Sequence, residues 1–255
     1  MTDQVSLREQ LLQGAQTSGA FLFLGNPDIA EIMGIAGFPV LIVDREHAAA
    51  DHASALAELR AIRSVCDAHV LIRTKDDSPA ALKPMLDAGF DGVVIADVRS
   101  TTQAAKIVET CRYAPLGRRG AQFTVSRAAN YGEDPHYAKN ANRRLLVSVM
   151  LECQSGLDAI EDIGKLPGID MLFLGPLDLT TDIGRFGDLN HPNLQQALAN
   201  AERRILATGK CLGGAALPGE SPLDLQKRGY HLVSHTSDVS LLRAGAASVV
   251  QPNRP

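Results

Sequence analysis

Val40-Leu41-Ile42-Val43-Asp44-Arg45-Glu46-His47 is the stretch on which the reading of the chain turns. Four consecutive branched or long apolar residues, with no polar alternation, describe a strand covered on both faces, as in a parallel sheet buried between layers. The four residues that follow all carry ionisable groups, so the run stops abruptly at a polar boundary. Working outward, runs of similar composition occur at 21–25, 70–74, 92–97, 145–151, 171–175, 211–216 and 231–235. Between them lie helix-compatible stretches. Pro27 opens one that ends near Gly37, and Ser78-Pro79 opens another that stops at Gly89. Segment 54–63 places Leu56, Leu59 and Ile62 on one face, and segment 194–206 is amphipathic and ends before Gly209.

Eight strand–helix units are the number that closes a barrel, and the expected fold is α/β, a single (β/α)8 TIM barrel over residues 1–255. A doubly wound open sheet would produce the same alternation. Against it, no G-x-G-x-x-G follows the first strand, where a dinucleotide site needs a tight turn and close backbone approach. The least regular stretch is 114–137, longer than a simple connection, and long barrel loops are usually functional.

A chain of 255 residues with 45% hydrophobic content can bury one large core, and its formal charge of −4 provides no basic footprint for nucleic acid. The apolar runs are far shorter than the roughly 20 residues that span a bilayer, and Met1-Thr2-Asp3-Gln4 is no signal peptide. A cytoplasmic protein acting on a small molecule, with no nucleic-acid or membrane partner, is the expectation. Cys66, Cys111, Cys153 and Cys211 form no C-x-x-C pair and read as buried thiols.

Catalytic groups of such barrels gather at the carboxyl ends of the strands. The second run ends in Asp44, Glu46 and His47, the third in Arg73, the fifth in Glu152, and the sixth leads into Gly175-Pro176-Leu177-Asp178. Glu152 and Asp178, at successive strand ends, suit a hard divalent cation that takes oxygen ligands and keeps open positions for a 2-oxo acid. Taken singly, each is equally well an acid at a helix N-terminus. Imidazole is the side chain suited to acid/base work near neutral pH, which makes His47 the candidate acid/base, or else a surface histidine. Arg73 places a permanent cation where an enolate oxygen would develop charge, or else forms a structural ion pair. The turn at Gly175-Pro176 brings the Leu177 and Asp178 amides towards a ligand carboxylate.

These pieces together resemble the HpcH/HpaI aldolase/citrate lyase family of metal-dependent class II pyruvate aldolases. The likeness runs from about Phe21 to Leu242 and is carried by Ala36-Gly37-Phe38, Val43 through Ala48, Leu71-Ile72-Arg73, Leu86-Asp87-Ala88-Gly89, Arg119-Gly120, Ser126-Arg127-Ala128, Leu151-Glu152 and Phe173 through Leu179. The resemblance implies a barrel of the phosphoenolpyruvate/pyruvate-binding type, with Glu152 and Asp178 holding Mg2+ or Mn2+, or Co2+. It implies Arg73 as the enolate stabiliser and His47 as a base acting through a water on the metal. Asp44 and Asp87 correspond to the acids that orient or polarise that histidine. The implied activity is cleavage or formation of a C–C bond between pyruvate, or a related 2-oxo acid enolate, and an aldehyde. Citrate-synthase-like condensation of oxaloacetate with an acyl-CoA is one alternative, and a non-catalytic ligand-binding barrel is another. Family members form hexamers, trimers of dimers, with the last helix, here about 237–250, exchanged between subunits.

Three positions depart from the family pattern. Met150 stands where a polar residue is common, Arg45 adds a cation near the expected entrance, and segment 118–126 lacks a small-residue pattern. Arg45, Arg118 and Arg119 would suit an anionic acceptor, or else form structural pairs.

Overall fold

The computed structural model describes residues 5–250. Its strands are β1 (Thr17–Leu22), β2 (Val40–Asp44), β3 (His69–Thr74), β4 (Gly92–Ile95), β5 (Leu146–Leu151), β6 (Met171–Leu174), β7 (Cys211–Ala215) and β8 (Leu232–Ser237). Each pairs in parallel with the next and β8 returns to β1, so the expected (β/α)8 barrel closes. The one sizeable displacement from the expected strands is β1, which begins four residues before the apolar run. Thr17, Ser18 and Gly19 look unlike strand residues, yet they are laddered to β8. Gly19 is required there, because a Cβ would collide with the Val40 carbonyl oxygen.

Alternation along each strand divides the core in two. Leu41, Val43, Val70, Ile72, Val147, Val149 and Leu151 pack outward beneath the helices. Val40, Ile42, Leu71, Leu146, Met150, Met171 and Phe173 fill the barrel. Helix Leu7–Leu12, begun by a reciprocal Ser6–Glu9 cap, adds Leu7 and Leu11 to that interior cluster beside the residues that start the strands. Burying each such leucine contributes about 1.5–3 kcal/mol, and the helix plugs the amino-terminal end of the barrel.

The ends of the predicted helices follow local chemistry. Asn26 caps Pro27–Ile35, Asp51 caps His52–Val65 and Ser78 caps Pro79–Ala88, which stops at Gly89 in the left-handed region (φ 93°). The long stretch 114–137 follows helix Thr101–Cys111 and precedes Tyr137–Arg144 and β5. It therefore connects a helix to a strand and lies on the amino-terminal rim, opposite the strand ends that carry the candidate residues. Buried Arg112 ties that rim together, donating to the Gly168, Asn142 and Leu145 carbonyls and to Asp170 Oδ2 at 2.5 Å.

Helix Asp238–Val250 buries only its first residue and leaves Val239, Leu241, Leu242, Val249 and Val250 exposed. No described helix is long and apolar enough to cross a membrane.

Candidate active site at the carboxyl-terminal rim

The same alternation that fills the barrel aims the functional side chains. Val40 and Ile42 face inward, so Asp44 does too; Leu71 faces inward, so Arg73 does; Leu146 and Met150 face inward, so Glu152, just past β5, does. Asp44 and Arg73 are also register partners in the β2–β3 ladder. Their meeting follows directly: Arg73 Nε donates to Asp44 Oδ1 at 2.5 Å.

Asp44 is fully buried and spends its other oxygen on the chain that follows it. Oδ2 accepts from the backbone N–H groups of His47 (2.8 Å) and Ala48 (3.0 Å). Asp44 thus orients His47 through its backbone and fixes Arg73 through its guanidinium. The arginine is further held by its carbon lying 4.6 Å from the Phe21 ring centroid and 5.5 Å from that of Phe23. Its Nη1 is 3.5 Å from Glu46 Oε2. Its Nη2 is buried without a hydrogen-bond partner, as is Glu46 Oε2. Unpaired buried groups of this kind are costly, and they mark where a ligand is expected.

Glu46, which the sequence offered only as one more charge of the motif, is half-buried, with its side chain 7% exposed, beside the exposed His47, its Oε2 3.7 Å from the ring Nε2. Burial raises the Glu46 carboxyl above the usual range, against the pull of Arg73 and His47. Glu152 is buried as well, and burial, reinforced by the charges of Glu46 and Asp178, pushes it up to about 7. One hydrogen bond opposes that shift, from the Asp97 N–H to Glu152 Oε1 at 2.6 Å. Gly175 makes room for this carboxylate, since a Cβ there would lie 2.6 Å from Glu152 Oε2. Met150 Sδ borders the same space, so the polar residue common at that place is replaced by a thioether on the pocket floor.

Asp178 sits exposed in the first turn of helix Pro176–Asp182, begun by Pro176 and preceded by Gly175. Glu46 and Asp178 each raise the affinity of Glu152 for protons, and Arg73 is already matched by Asp44. The mouth therefore carries more carboxylate than local cation. That imbalance fits a divalent ion held by Glu152 and Asp178. Among the described residues no three His, Cys, Asp or Glu side chains form a ready-made metal cage.

Two of the sequence candidates lie away from the mouth within this chain. Arg45, the expected entrance cation, has outward parity. Its guanidinium is bound to Glu58 and the Asp44 carbonyl, with Ser54 Oγ at 3.2 Å and the Asp51 carbonyl at 2.9 Å. It is a structural ion pair between β2 and helix His52–Val65. Asp87 does not reach His47 within the chain. It lies at the carboxyl end of helix Pro79–Ala88, which runs back towards the strand starts, and Arg119 Nη2 donates to its Oδ1 at 2.7 Å. Arg119 is thereby a structural pair, and with Arg118 it belongs to the opposite rim.

Asp97 was not singled out from sequence, although it follows the fourth apolar run in the same way that Asp44 ends the second. Its left-handed backbone (φ 53°), unusual for a residue with a side chain, turns its N–H towards Glu152.

Fold and rim define a (β/α)8 barrel with an acid-rich mouth organised around one fixed arginine. The profile of the HpcH/HpaI aldolase/citrate lyase family matches residues 17–244, and the chain belongs to that family. It is 34% identical over 239 residues to the hydroxypyruvate/pyruvate aldolase of Chromohalobacter salexigens, covering 94% of each chain. It is also 34% identical over 233 residues to the 5-keto-4-deoxy-D-glucarate aldolase of Salmonella arizonae, covering 89% of this chain and 88% of the relative. A crystal structure of a family protein from Burkholderia cenocepacia superposes with a TM-score of 0.90 at 31% identity, over 98% of this chain and 99% of the other.

Proposed function

We propose that this chain is a metal-dependent carbon–carbon lyase that cleaves a 4-hydroxy-2-oxo acid to pyruvate and an aldehyde, and runs the reverse condensation. The observation that carries the reading is the buried, unpartnered Nη2 of Arg73 beside an excess of carboxylate contributed by Glu46, Glu152 and Asp178. Family membership and the pyruvate aldolases among its relatives support it.

Glu152 and Asp178 would hold the divalent ion, Mg2+ or Mn2+, with Co2+ a further candidate. When bound, it supplies Lewis acidity to the keto oxygen of the substrate. Arg73 Nη2 donates a hydrogen bond to that oxygen as negative charge develops, and Asp44 with Phe21 and Phe23 keeps the guanidinium from moving during the reaction. The turn Gly175-Pro176 and the amides of Leu177 and Asp178 receive the substrate carboxylate. His47 takes the proton from the 4-hydroxyl. The C3–C4 bond then breaks, its electron pair passes into the 2-oxo carbonyl as enolate, and C4 leaves as the aldehyde. Return of the proton to C3 gives pyruvate, with no change of oxidation state overall. Glu46, raised by burial and close to the His47 ring, holds the proton between those two steps.

The exposed apolar residues of helix Asp238–Val250 support its exchange between subunits of a hexamer. The four unpaired cysteines suit a cytoplasmic, reducing setting. The test is a screen with Mg2+ or Mn2+ present of pyruvate methyl-proton exchange, oxaloacetate decarboxylation, and pyruvate plus aldehydes. Product mass is the readout, with an acyl-CoA arm for condensation to citrate. Absence of exchange and decarboxylation refutes the lyase reading, and CoA release from the thioester arm replaces it with the condensation.

A further inference from the structure

At the rim opposite the mouth, the stretch 114–137 and the starts of β3, β4 and β5 border a cavity of about 660 Å³. Pockets that take small molecules run from roughly 300 to 1,000 Å³, so this one has room for an organic ligand. Four arginines line it, Arg63, Arg119, Arg127 and Arg144, against two acids, Asp67 and Asp91.

Two of the arginines are matched within the fold. Arg63 Nη2 donates to Asp91 Oδ2 at 2.5 Å, and Arg119 Nη2 donates to Asp87 Oδ1 at 2.7 Å. The other two are not. Arg127 Nη1 donates to the neutral Ala88 carbonyl at 2.9 Å, and burial together with the charges of Arg63 and Arg60 weighs against its own positive charge. Arg144 has neither a hydrogen-bond nor a carboxylate partner among the described residues. Arg127 and Arg144 therefore face only Asp67, which is exposed and well solvated. On the same walls Arg119 Nε is buried without a hydrogen-bond partner, a costly state for a donor.

The planar fork of guanidinium takes carboxylate or phosphate, and the number of unmatched arginines decides between them. Two cations suit a dianion, which a phosphate group becomes above its second pKa of about 6 and a single carboxylate does not. Asn130, Tyr131 and Asn140 border the same space and offer hydrogen bonds to the remainder of an organic phosphate.

We propose that this cavity is a second ligand site, separate from the carboxylate-rich mouth, in which Arg127 and Arg144 bind the phosphate group of a small anion. The site is independent of the lyase reading.

Isothermal titration of the metal-free protein with glycerol 3-phosphate, inorganic phosphate and glycerol tests it. Without metal, the excess of carboxylate at the mouth repels both phosphates from that end. Both phosphates should bind and glycerol should not. Tighter binding of glycerol 3-phosphate assigns the site to an organic phosphate, and equal affinity assigns it to free phosphate. Arg127→Met and Arg144→Met should each weaken binding by about tenfold, while Arg144→Lys keeps part of the affinity and added salt lowers it. Arg144 makes no hydrogen bond within the fold, so its replacement removes no structural contact, and an unchanged thermal midpoint verifies this. Absence of saturable binding of both phosphates to the wild type overturns the site. So does an affinity within about twofold of wild type in Arg144→Met, since a bound phosphate would then owe nothing to the unmatched arginine.

Discussion

Replacing Gly175 with alanine adds one methyl group and probes the position of Glu152 directly. The backbone at 175 (φ −104°, ψ 89°) lies at negative φ, so the effect is one of space rather than conformation. The new Cβ would lie 2.6 Å from Glu152 Oε2, 2.9 Å from Glu152 Cβ and 3.2 Å from Met150 Sδ. Rotating the carboxylate relieves the first clash but not the second, so the Glu152 side chain must move as a whole by roughly 1 Å, a misplacement that can cost about a hundredfold in rate. The same movement stretches the 2.6 Å bond from the Asp97 N–H, a charge-assisted hydrogen bond of about 1.5–3 kcal/mol. Divalent-ion affinity should therefore fall by about 10- to 100-fold. Mn2+ titration followed by electron paramagnetic resonance measures affinity, and methyl-proton exchange of pyruvate measures chemistry. Unchanged Mn2+ affinity and exchange in Gly175→Ala would refute the claim that the missing Cβ makes room for a ligating Glu152.

The other expectations concern charge. Because the Glu152 carboxyl is pushed from 4.5 up to about 7, the folded metal-free protein binds more protons than the unfolded chain between those values. Stability should accordingly decline as pH rises from about 4.5 through 7, by about 3 kcal/mol from this group. Glu152→Gln should lose that component in thermal melts and, like Asp178→Asn, should have no metal-dependent turnover; a wild-type melt profile would show that Glu152 is not desolvated. Metal affinity should rise with pH through the same window, and a flat titration would argue against Glu152 as ligand. His47→Ala should slow proton exchange at least tenfold while Mn2+ affinity holds, whereas full exchange would remove His47 from the chemistry. Arg73→Lys should lower kcat more than it raises KM, because lysine lacks the planar fork that Asp44 orients; near-normal kcat would leave Arg73 a structural residue. Arg45→Met strands the buried Glu58 carboxylate and should cost about 3–5 kcal/mol in denaturant melts. A change confined to acceptor KM would return Arg45 to the entrance.

Most of the rim was legible before any tertiary information, since barrel strands read as apolar runs and a charge at the end of such a run stands out. Glu152, Asp178, Arg73 and His47 were found that way, and the structure brings them to one mouth. Glu46 was visible as a charge, but its burial beside Asp44 and Arg73 was not, because burial depends on what the neighbouring strands contribute. Asp97 carried a usable signal, an acid after an apolar run, but its left-handed turn towards Glu152 has no composition of its own.

The positions of Arg45, Asp87 and the stretch 114–137 have a common geometric origin. Along a strand, adjacent side chains face opposite sides, so Asp44 enters the barrel while Arg45 leaves it. Along a strand–helix unit, the direction of travel reverses, so Asp87 and the stretch 114–137 return to the far rim although their sequence neighbours belong to the near one.

Sequence alone determined the eightfold alternation, the strand ends that bear charge and the family, because these are properties of runs and of order along the chain. Tertiary structure decided which of those charges share a pocket, which are already paired, and that carboxylate outweighs cation at the mouth. Coulombic balance and desolvation depend on distances between residues far apart in the chain, and closure of the barrel sets those distances.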